Sequence, residues 1–111
     1  MRKSLFTAII LLSFTTLASA ADVNLAWDAN ELTPDRYEVY MVKVNTGRNP
    51  LTVAFDYTKP AWTGTATTCT LSGLEDGQLY AFVCRAFVGT TSSGDSNRVV
   101  YETPQIRLRV E

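Results

Sequence analysis

The chain of 111 residues contains no histidine. That removes the usual general base, the usual neutral metal ligand and the Ser-His and Cys-His nucleophile pairings together. Two cysteines, Cys69 and Cys84, are the reactive groups left, and they stand too far apart for a Cys-x-x-Cys redox or zinc motif. There is no glycine-rich phosphate loop. The acids Asp22, Asp28, Asp35, Glu75, Asp76 and Asp95 fall mostly where the chain turns, the ordinary place for carboxylates that cap and turn a backbone. Glu75 with Asp76 is too poor a ligand set for calcium. We therefore expect no enzyme: no catalytic residue, no cofactor and no metal. The side chains that remain are aromatic. Trp62, Tyr57 and Tyr40 are candidates for stacking on sugar rings, with burial in the core as the alternative reading of Trp62.

Residues 1–20 have the parts of a secretory signal peptide in order. Arg2 and Lys3 give a positive start, an apolar run extends from Leu5 to Leu12, and Ala18-Ser19-Ala20 supplies an A-x-A cleavage pattern. Even extended to Leu17 the run is shorter than the ~20 residues a membrane-spanning helix requires. The expectation is cleavage after Ala20, a periplasmic or secreted product, and no stable membrane insertion afterwards. From Ala21 onward the chain carries 8 basic and 11 acidic residues, a net charge of −3. Nucleic acid and anionic membrane surfaces call for clustered positive charge and are not expected as partners.

The elements that must position these side chains read as strands. Val23, Leu25 and Trp27 alternate with Asn24 and Ala26; Tyr37, Val39 and Met41 alternate with Glu38, Tyr40 and Val42. A weaker strand is expected over residues 52–57, another over 65–71, the longest over 79–88 and a last one over 98–103. Six short strands separated by turn signals predict one all-β domain, an antiparallel two-sheet sandwich.

Five segments then match one family in order. Val23-Asn24-Leu25-Ala26-Trp27-Asp28, Arg36-Tyr37-Glu38-Val39-Tyr40, Thr70-Leu71-Ser72-Gly73-Leu74, the pair Gly77 and Tyr80, and Ser96-Asn97-Arg98-Val99 through Thr103-Pro104 resemble the successive strands and corner of a fibronectin type III domain. The form is the one common in exported bacterial proteins. The resemblance covers most of residues 22–104, so we expect an immunoglobulin-like domain over 21–104 and a tail, 105–111. It implies that Trp27 anchors the core and that Leu74, Gly77 and Tyr80 build the corner between sheets, the tyrosine hydroxyl bonding to corner backbone. Asp76 stands where the family usually has proline. If the chain folds back at that corner, Cys69 and Cys84 lie level on inward positions; a disulfide between them is expected, with two inert buried thiols as the alternative.

The surface suggests the work. Strands 37–44 and 79–88 are apolar at both parities, which leaves Tyr40, Val42, Val44, Val83 and Phe87 on the outer face of one sheet as the candidate interaction face. The tail alternates Ile106, Leu108 and Val110 with Arg107, Arg109 and Glu111, as a strand that covers an edge of its own domain or pairs with a partner would. Residues 89–97 read as a flexible loop. Its Ser93-Gly94-Asp95 lacks the arginine of the integrin-binding triplet, so no adhesion role transfers from the family. The leading expectation is a non-catalytic module that binds another protein, its own copy included. Polysaccharide binding and a purely structural role are the alternatives.

Overall fold

The computed structural model describes residues 21–29 and 33–104, together with the backbone of 11–13. Eight strands make up the described chain: β1 (Leu11–Ser13), β2 (Ala21–Ala26), β3 (Arg36–Val44), β4 (Trp62–Gly64), β5 (Thr68–Leu74), β6 (Leu79–Val88), β7 (Thr91–Ser92) and β8 (Val99–Glu102). All pairings are antiparallel. One sheet has the order β1-β2-β5; the other runs β4-β3-β6, with β7 and β8 both bonded to β6. Among the described residues there is no helix.

Period two explains the packing. In β2 the residues Ala21, Val23 and Leu25 point inward while Asp22, Asn24 and Ala26 are only half-buried. On the facing sheet Tyr37 and Val39 of β3 and Tyr80, Phe82, Cys84 and Ala86 of β6 turn toward them. Trp27 lies within this core, edge-on to Tyr37 at 5.5 Å and to Trp62 at 5.6 Å. Cys69 of β5 and Cys84 belong to the same core, one from each sheet, and both are free thiols. Burial pushes the Cys69 thiol up to about 11; burial and the neighbouring Cys69 push Cys84 up to about 12.

The corner between sheets is held by hydroxyls. The Glu75 backbone N–H donates to the Tyr80 hydroxyl at 2.9 Å, with Leu74 and the Tyr80 ring both buried. Gly77 turns with φ of 68°, a conformation that costs glycine little. The buried Thr103 hydroxyl donates to the Glu75 carbonyl at 2.6 Å and accepts from the Gln78 N–H at 2.9 Å, tying the last strand to the corner.

Three expectations are corrected here. Residues 52–57 form no strand; they belong to a segment, 45–61, that crosses from β3 to β4 over the outside of the second sheet. The strand expected over 65–71 starts later and runs further, as β5 over Thr68–Leu74; residues 65–67 are bends, and β4 over Trp62–Gly64 is a strand the alternation pattern did not predict. Residues 89–97 are zipped onto the edge of β6: Ser93 N donates to Ala86 O and Ser96 N to Cys84 O, while their hydroxyls accept from Ala86 N at 3.0 Å and Cys84 N at 2.8 Å. Serine side chains complete a ladder that backbone alone leaves open. The tail, 105–111, lies outside the described residues, as does most of the leader, of which only Leu11–Ser13 is described, paired along β2.

Candidate functional site

The outer face of the β3–β6 sheet is not open. Tyr40 is 1% exposed, Val44 4% and Val83 1%; Val42 and Phe87 are half-buried. The expectation that these five side chains form a free interaction face is therefore corrected. Strands that are apolar on both faces must be covered on both faces, and here the cover is the chain's own segment 45–61. Phe55 and Val53 descend from it onto Tyr40, Val44, Ala81 and Val83 to make a second core.

Polar side chains fasten the cover down. Arg98 donates through Nη1 to the carbonyls of Pro50 at 2.9 Å and Val53 at 2.8 Å, and its guanidinium lies 4.6 Å from the centre of the Phe55 ring. Arg85, from the outward row of β6, lies 3.7 Å over the Tyr57 ring and pairs with Asp95 at 2.7 Å. The Tyr57 hydroxyl donates to the same carboxylate at 2.6 Å. On β3, Arg36 pairs with Glu38 at 2.8 Å and stacks 4.2 Å above Phe87, and the Tyr40 hydroxyl donates to Glu38.

The electrostatics follow from these partners. Burial raises the Glu38 carboxyl, but the Tyr40 hydroxyl and Arg36 outweigh it and hold the group below the usual carboxylate range. Burial and the bond to Asp95 raise the Tyr57 phenol. Burial lowers Arg85, the Asp95 bond and charge raise it further, and the net effect is upward. Each charge in this strip is spent on a neighbour. Outward from it stand Leu51, 69% exposed, and Tyr57, 37% exposed.

The three aromatic candidates for sugar stacking are placed apart from any common platform. Tyr40 is buried, edge-on to Tyr57 at 5.0 Å, and Arg85 covers one face of Tyr57. Trp62 is half-buried at the lip of the core, its ring folded over Gly64 and packed on Trp27. Among the described residues no group of three or more His, Cys, Asp or Glu side chains converges as a metal site would require. Glu75 instead pairs with Lys43 at 3.0 Å. The residues that sequence reasoning gave no role are Arg98, Thr103, Ser93 and Ser96. The alternation of apolar side chains carries no signal for hydroxyls that replace a strand, or for an arginine that reaches across to carbonyls of a distant segment.

The two sheets, the corner and the last strand laid against β6 decide the architecture. The chain has the fibronectin type III fold. No family model matches the sequence and no curated protein does, but solved structures superpose on it closely. An Fn3-like protein from Clostridium thermocellum has a TM-score of 0.67 at 17% identity, covering 96% of this chain and 100% of that one. The fn3 domain of the human collagen alpha-1(XX) chain has 0.64 at 15%, covering 98% and 97%. A human FNIII domain solved in solution has 0.67 at 15%, covering 95% and 83%. A fold by itself assigns no partner.

Proposed function

We propose that this protein is an exported, non-catalytic binding module that contacts another protein on the outer side of the β3–β6 sheet, through the segment 45–61 that covers it. The observation that carries this reading is the state of that segment. Phe55 and Arg98 anchor it, yet it holds Leu51 out at 69% exposure with Tyr57 beside Arg85. A large apolar side chain on a fixed support gives a partner something to bury at little ordering cost. Export is supported by the leader's charge, apolar run and A-x-A pattern. The test is co-purification of the tagged protein from its own host, beside Leu51→Asp. A protein retained by the unaltered chain and lost with the variant, at unchanged melting temperature, supports the reading; equal retention refutes the surface.

The Cys69–Cys84 bridge belongs to the same reading. In an oxidising compartment the two thiols would give two protons and two electrons to a donor protein disulfide, leaving one S–S bond here and a dithiol there. Their support is their place in one core, from facing sheets. Two reactive thiols in exported, denatured, unreduced protein would rule the bridge out.

A further inference from the structure

The first sheet ends on an edge that is occupied by residues expected to be cut away. Leu11, Leu12 and Ser13 of β1 lie opposite Ala26, Leu25 and Asn24 of β2. Cleavage after Ala20 would leave β2 as the first element of the chain, still held by β5 and by the inward burial of Ala21, Val23 and Leu25. Its outer row of N–H and C=O groups would then be bare, and a bare edge is a template for another strand.

We infer that this edge is a strand-addition site, filled after leader removal by residues 105–111 of a second copy of the chain. The inference rests on the export reading above. The tail has the required pattern: with Ile106, Leu108 and Val110 on the inner face beside Val23 and Leu25, Arg107 and Arg109 fall on the outer face with Asp22 and Asn24. Positive charge is thereby set beside Asp22 in a chain that is otherwise net acidic.

Direction favours a second copy over the chain's own tail. The Pro104 carbonyl accepts from Gly77 N–H at 3.2 Å, and Ala21 lies opposite Leu74, so the tail starts at the same corner of the sandwich as β2. Turning back from there, it would run parallel to β2. It would also spend about three residues at ~3.3 Å each in crossing the ~10 Å between sheets. A tail from another molecule can arrive from the Ala26 end and pair antiparallel, as β1 does, along the whole of β2. Two such exchanges about a two-fold axis close both edges.

The experiment starts from protein recovered after export, with its mass read first. A mass that retains the leader refutes cleavage after Ala20, and with it the premise that the edge is vacated; failure to recover the chain outside the cytoplasm refutes the export reading itself. For protein beginning at Ala21, sedimentation over a concentration series should show a dimer. Ile106→Asp with Leu108→Asp should give a monomer of unchanged circular dichroism, and the Asn24 and Ala26 amides, which face the vacated edge, should exchange about tenfold faster or more. Unexported full-length chain, with Leu11–Ser13 on the edge, should stay monomeric. A monomeric exported chain overturns the inference; if its β2 amides are protected and the tail variant exposes them, the edge belongs to the chain's own tail. A dimer indifferent to the tail variant also overturns it.

Discussion

Replacing Phe55 by alanine tests whether the segment over the β3–β6 sheet is a true second core. Phe55 is 8% exposed and packs in the cluster of Tyr40, Val44, Ala81 and Val83. Phe→Ala changes in cores cost ~3–5 kcal/mol through lost transfer energy and residual cavity. Here a single chain segment forms the lid and can settle into part of the space, which places the packing loss near the lower bound. The Arg98 guanidinium, 4.6 Å from the ring, loses its stacking partner as well, worth ~0.5–1 kcal/mol at a partly exposed site. The expected total is about 3.5–4 kcal/mol, a drop in melting temperature of roughly 20 °C for a domain of this size. Urea titration of Phe55→Ala beside the unaltered protein reads it, with an unchanged m-value showing that both unfold the same surface. Leu51→Ala on the same segment should change stability by less than ~0.5 kcal/mol. A Phe55→Ala loss as small as that would refute the second core.

Tyr80→Phe leaves the Glu75 N–H without its 2.9 Å acceptor at the corner, and should cost ~1–2 kcal/mol in urea titration. Gly64→Ala would place a methyl carbon 2.6 Å from Cζ2 of Trp62, so the ring must leave Trp27; a loss of ~1–3 kcal/mol and a changed near-ultraviolet circular dichroism are expected, and an unchanged spectrum would refute the close approach. The reduced protein should weaken in alkali. Cys69 and Cys84 keep their protons when folded but lose them above ~8.5 when unfolded. Stability is thus full below that pH and falls as pH rises toward the folded values, by up to ~1.4 kcal/mol per unit for each thiol. Equal urea midpoints at about pH 8 and about pH 10 would contradict the burial of the thiols.

The inward half of the fold was legible in the sequence because period-two alternation states directly which side chains face the core, as Val23, Leu25 and Trp27 show. The corner was legible too, since a glycine able to turn and a tyrosine that needs a partner for its hydroxyl are local features. The outer face was misread for a physical reason. An apolar row such as Tyr40, Val42 and Val44 says that something covers it, and cannot say whether the cover is a partner or the next segment, 45–61, of the same chain. What identifies the cover is Arg98, which acts through two carbonyls about 45 residues away in sequence. Carbonyls carry no side-chain signature, so that contact leaves no pattern to read. Ser93 and Ser96 were hidden likewise, their hydroxyls standing in for a ladder that a serine-rich stretch reads as a loop.

The account turns on where residues 53–57 lie, because their placement moves the proposed binding surface from the sheet to its cover. Nuclear Overhauser spectroscopy on the folded protein observes this directly. Cross-peaks from the Phe55 ring to the methyl groups of Ala81 or Val83 are expected, with those methyls shifted by the ring. A Phe55 at random-coil shifts, with no cross-peak to β6, would return Tyr40, Val44 and Val83 to the surface and contradict the reading.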